Sequence, residues 1–235
     1  MAQNTKKPRR GKTAIAQKLQ DLLHQVKALR QRGAIAEALT LLDDYDRAHP
    51  DEAIVVAEQL VCHSALGDSV AMLAALERLD ALRPDDPATL LHLMNLRQQQ
   101  GLPVQLLRTT ERFLAVAPDH PERAQVQRLR DGTLRALRPS LRGLGLVAGT
   151  PSQDQTEPPS LDDVDSEGLR AIGDHEAGTQ RLQRGDFRGA AALFEKTLTR
   201  LPQFFAARDA LALAYLRLGE DDKALAAAAA ALADP

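Results

Sequence analysis

Histidine, cysteine and carboxylate side chains are the first places to look for chemistry in this 235-residue chain, and their spacing matches no catalytic constellation. The six histidines, His24, His49, His63, His92, His120 and His175, are dispersed, with no pair at zinc-ligand spacing and no second cysteine to join Cys62. Cys62-His63 and His175-Glu176 are neighbours, but adjacent side chains on a helix diverge by about 100° and cannot act on one substrate. Gly11-Lys12-Thr13 has the ending of a phosphate-binding loop, yet that loop requires a glycine five positions earlier, where Lys6 stands. No catalytic residue, cofactor or metal is therefore expected, and the chain reads as a non-enzyme.

Charge is balanced overall, at a formal net of -2, but unevenly placed. Lys6, Lys7, Arg9, Arg10 and Lys12 form a basic run with no acid beside it. Residues 1–17 accordingly read as a disordered basic arm, either solubilising or in contact with nucleic acid. No stretch of some twenty apolar residues exists, and no hydrophobic segment follows the N-terminal charges, so neither a membrane span nor a secretory signal is expected. A single cysteine set among apolar residues fits a buried thiol and a reducing, cytoplasmic setting.

The elements that would position any functional surface are written as a repeat. Gly33, Gly67 and Gly101 recur at a 34-residue interval, as do Pro50, Pro84 and Pro118. Glycine accepts the positive φ that ends one helix, and proline, which lacks an N–H, stops the next. Between them Ile35, Ala38, Leu39 and Leu42, then Leu73, Leu76 and Leu79, recur at helical spacing, so each helix buries one face. With aromatic residues at only 3% and no alternating β-branched run, the chain reads as an all-α helical-hairpin solenoid. Repeats fall at 19–52, 53–86 and 87–120; the phase then breaks, and Gly185, Pro202 and Gly219 restore it over 171–204 and 205–235.

The fourth unit carries Gly178, the Gly185-Asp186-Phe187 turn, Ala190, Phe194 and Pro202, and the fifth has Tyr215, Gly219 and Ala224 in register. On these positions the chain resembles the tetratricopeptide repeat family. Ala38 and Pro50 also match, whereas Met72 and Leu106 replace the usual alanine and the family's first aromatic is missing throughout. The resemblance implies right-handed superhelical arrays and a concave groove formed by the second, fifth, ninth, twelfth and thirteenth places of each repeat. Carried over by position, that groove presents Leu23, Lys27, Arg30, Gln31, Ala57, Val61, Ser64, Leu91, Asn95, Gln98 and Gln99. Such a surface suits a protein or peptide partner, with amides bonding its backbone and Lys27 and Arg30 bonding an acid. Members that clamp the acidic C-termini of heat-shock chaperones have lysine at five and asparagine at nine of their first repeat. Leu23 and Lys27 stand at those places here and argue against that ligand.

Residues 121–138 read as a capping helix that is apolar at Val126, Leu129, Leu134 and Leu137 and carries Arg123, Arg128, Arg130 and Arg135 on its other face. The expected organisation is a first array over 18–138, a flexible Gly/Pro-rich and then acidic linker over 139–168, and a two-repeat array over 169–235. The acids Asp154, Glu157, Asp162, Asp163, Asp165 and Glu167 are either solvated or a latch onto the arginine helix. Phe204 and Phe205 mark a second candidate interface, with one ring expected between helices and the other outside. Leu225 and Leu232 lie on an Ala-rich last helix that has no polar outer face, a candidate for self-association. The sequence thus predicts a scaffold or adaptor. The alternatives are a nucleic-acid-associated protein that uses the arm and the arginine helix, or the regulatory repeats of a larger enzyme.

Overall fold

A computed structural model describes residues 10–147, 161 and 164–232, and for residues 10–14 and 232 it describes the backbone alone. Among the described residues there are eleven α-helices and no strand beyond an isolated antiparallel bridge between Val147 and Val164. Ten helices form five hairpins. These are α1 (Arg10–Gln31) with α2 (Ile35–Ala48), α3 (Ala53–Leu66) with α4 (Ser69–Leu82), α5 (Pro87–Gln99) with α6 (Pro103–Val116), α8 (Ser166–Gln183) with α9 (Phe187–Arg200), and α10 (Phe205–Leu218) with α11 (Asp221–Leu232). Between the third and fourth hairpins lies the long α7 (Arg123–Gly143).

Every hairpin turns the same way. Gly33, Gly67, Gly101, Gly185 and Gly219 are left-handed, with φ between +66° and +79°. In each turn the glycine N–H reaches the carbonyl three residues back and the next N–H reaches the one five back, as Gly67 does to Ser64 and Asp68 to His63, both at 3.1 Å. This closure satisfies carbonyls the helix end leaves open. Asp68 and Asp186, next in the chain, then accept from Ala71 and Gly189 and cap the second helix. Pro50, Pro84, Pro118 and Pro202 each stand two residues beyond a second helix.

The chain divides into two compact units, up to Pro84 and from Asp85 onward. In the first, Leu22 and Val26 of α1 pack with Ala38 and Leu42 of α2 and with Val55 and Cys62 of α3. In the second, Ala190, Ala191 and Phe194 of α9 meet Leu211, Ala214 and Tyr215 of α10 and Ala224 of α11. Gly178 lets Phe194 lie flat on α8, since a methyl group there would stand 2.6 Å from its ring.

Two helices extend past the boundaries read from the sequence. Helix α1 begins at Arg10, so part of the expected arm is helical. The capping helix does not stop before Pro139; α7 continues through it to Gly143. The true stop is Gly145, at φ +72°, whose N–H reaches the Arg142 carbonyl while that of Leu146 reaches Leu141, both at 2.8 Å. That is the closure used by the hairpin glycines.

Packing also links the helices on either side of 139–168. Val104 and Leu107 of α6, Leu134, Leu137 and Leu141 of α7, Leu146, and Ala171 of α8 form one buried cluster with Leu201. Leu146 lies against Gly168, in the first turn of α8, and its carbonyl accepts from Asp165 at 2.7 Å. Of the acids considered for a latch, Asp165 caps α8 and Glu167 pairs with Arg170 and Arg200. Asp154, Glu157, Asp162 and Asp163 lie outside the described residues.

Candidate functional site

The first helices of the hairpins carry the residues that the repeat register assigns to a binding surface. In the first unit Lys27 and Gln31 are exposed on α1, and Leu23 and Arg30 half-buried; on α3 Val61 and Ser64 are exposed and Ala57 half-buried. Arg30 does not stand open to a ligand, because it is paired with Glu58 of α3, and both side chains are about two-thirds covered. The cation left on this part of α1 is Lys27. In the second unit Asn95, Gln98 and Gln99 are exposed on α5 and Leu91 is half-buried. Beneath α3 the Cys62 thiol is buried, and its burial pushes its pKa up, away from the reactive thiolate.

The aromatic pair divides its two rings. Phe204 packs half-buried against the shared cluster, edge-on to His175 with ring centroids 4.9 Å apart. Phe205 is 43% exposed, and the Arg208 guanidinium lies 5.3 Å from its ring centre. Leu225 is 69% exposed, and with Leu213, Leu216, Ala224 and Ala228 it lines an open apolar groove of about 600 Å³ between α10 and α11. The Leu232 side chain lies outside the described residues. The arginines of α7 are partly committed within the fold. Arg123 donates to the Leu114 carbonyl and Arg130 to Asp131 and Glu111, while Arg128, Arg135 and Arg142 are exposed.

A polar contact that the sequence does not display joins α8 to α6. The carboxylate of Glu176 accepts from the N–H groups of Val104 and Gln105, each at 2.8 Å, and is itself buried. Burial pushes its pKa up to about 7, against the opposing pull of those two N–H groups and of Arg108 and Arg97. Its neighbour His175 faces Phe194 and Phe204 instead, and burial lowers its pKa. The two side chains thus point to different partners, as adjacent helical positions require.

Among the described residues no three His, Cys, Asp or Glu side chains are grouped to hold a metal ion, and no helix is long and apolar enough to cross a membrane. What the fold defines is an all-α stack of helical hairpins. No family model and no curated protein matches the sequence. Similar solved structures include a tetratricopeptide repeat protein from Parabacteroides merdae, 14% identical, over 90% of this chain and 77% of that one at a TM-score of 0.44. MamA from Desulfovibrio magneticus is 12% identical over 91% and 92% at a TM-score of 0.37. Yeast Tom70 is 15% identical over 95% of this chain and 49% of its own at a TM-score of 0.44.

Proposed function

We propose that this protein is a non-enzymatic scaffold or adaptor that binds a protein or peptide partner along the first helices of its hairpins. The observation that carries the reading is the accessibility of Lys27, Gln31, Val61 and Ser64 on α1 and α3, with an aliphatic side chain set among polar ones and a core closed behind them. An exposed Val61 on α3, with a cation and an amide exposed on α1 and a hydroxyl one turn on, suits a peptide that offers one apolar anchor and polar backbone groups. Asn95, Gln98 and Gln99 give α5 the same ability to bond a peptide backbone.

The test is affinity capture of the tagged chain from its own cell lysate, with and without nuclease. A discrete protein that survives nuclease and is lost in the triple variant K27A/V61A/N95A, with an unchanged melting temperature, is the expected result. Retention that vanishes with nuclease would transfer the function to nucleic acid and to Arg128, Arg135 and Arg142 on α7. Retention unaffected by the triple variant would remove the first helices from the site.

A further inference from the structure

A cavity of about 490 Å³ opens where α6, α8 and the end of α9 meet, and its lining is strongly basic. Arg108 comes from α6, Arg170 from α8, and Lys196 and Arg200 from α9; Ser166, Leu169 and Asp174 of α8 complete it. Two carboxylates answer these four cations. Asp174 takes Arg200 at 2.6 Å and Lys196 at 3.1 Å, and Glu167 takes Arg170 at 2.6 Å and Arg200 at 3.4 Å. Arg108 has no carboxylate at ion-pair distance among the described residues; its guanidinium donates to the Leu169 carbonyl at 3.4 Å. An excess of positive charge therefore collects in a concave site, where the surrounding protein weakens solvent screening and favours an anion.

The position of Arg108 has its own structural provision. Gly173 lies in the middle of α8, where glycine costs roughly 0.5–1 kcal/mol relative to alanine. A methyl group at that position would stand 2.8 Å from Nη1 of Arg108 and 3.1 Å from its Cζ. The guanidinium thus passes close over α8 at Gly173.

We propose that this cavity is a second binding site that takes an acidic peptide segment, its carboxylate held by Arg108, Arg170 and Lys196 and its backbone N–H groups accepted by Asp174 and Ser166. A guanidinium fork is matched to a carboxylate in geometry as well as charge. Asp174 and Glu167, interleaved with the cations, repel a continuous phosphate backbone but serve a peptide, which brings N–H donors with its acids. None of these residues occupies the first-helix places invoked above, so the two sites stand or fall separately.

The experiment is fluorescence anisotropy of a labelled hexaglutamate peptide with the full chain. Saturable binding is expected, weakening with salt and falling about tenfold in R108Q. R108Q is the decisive variant because Arg108 is exposed and its side chain can be replaced without opening the core, so an unchanged melting temperature is expected beside the loss of binding. The variant K27A/V61A/N95A binds hexaglutamate like the parent. No saturable binding, binding by R108Q as tight as that of the parent, or displacement of the peptide by inorganic phosphate or oligothymidylate at the same anion concentration would overturn the proposal.

Discussion

Glu176 does for α6 what an aspartate does for other second helices of the stack. In the second and fourth hairpins the turn glycine is followed by Asp68 and Asp186, whose side chains cap the helix they begin. The third hairpin has Leu102 at that place, buried and unable to cap, followed by Pro103, which has no N–H. The next two donors, Val104 and Gln105, are taken by Glu176 from another helix. Because its folded pKa is raised from 4.5 to about 7, the contribution of this group is fullest below pH 4.5 and is lost as pH rises through 7. The shift corresponds to roughly 3 kcal/mol between the two limits. His175 works in the opposite sense: its folded pKa is lowered from 6.5, so its contribution is lost as pH falls below that value. Comparing the parent with E176Q cancels the titration of the histidine, which both proteins retain, and leaves that of the Glu176 carboxylate, on which Arg97 and Arg108 act in the parent alone. Denaturant unfolding from pH 5 to pH 8 is expected to show E176Q gaining on the parent by up to that amount. Parallel curves would mean that Glu176 is ionised throughout.

At the scale of elements, the hairpins were legible because a glycine in fixed register precedes each second helix and a proline in register follows the first four. The end of α7 was not. Gly145 makes the same left-handed closure as the hairpin glycines, but it stands outside the 34-residue register and among other glycines and prolines, so composition pointed to a linker. The signal available was Leu141 and Leu146, the apolar pair that accompanies this closure and here enters the buried cluster. The Arg30–Glu58 pair was hidden for a related reason: its members lie on successive first helices, and only the packing of α1 against α3 brings them together. Pro139 is the remaining cost inside α7. It is exposed and cannot donate to the carbonyl four residues back, yet the helix runs four residues past it. P139A should therefore stabilise α7 by about 1–3 kcal/mol, read as a higher melting temperature and as slower amide exchange over 139–143. An unchanged midpoint would show that the helix has already relaxed around the ring.

For the whole molecule, the shared core decides whether the C-terminal hairpins act as a tethered module or as a continuation of the stack. A tethered module needs its own burial, and two hairpins give less than the three or so that a solenoid requires to stand alone. The structure supplies the missing burial from α6 and α7: Ala171 of α8 and Leu201 are buried with Val104, Leu107, Leu134, Leu137, Leu141 and Leu146, and Glu176 fastens α8 to the start of α6. The expectation is then that this packing, rather than covalent continuity across residues 148–163, holds α8 to α11 in place. With a protease site inserted between Pro151 and Pro158, cleavage should yield two fragments that co-elute in size-exclusion chromatography under native conditions and separate only in denaturant. Replacing Leu141 and Leu146 by aspartate in the cleaved protein should release the C-terminal fragment, because buried, unpaired carboxylates are costly enough to break such a cluster. Separation without those substitutions would mean that the cluster is too weak to replace the chain, and would restore a mobile joint between two independent arrays.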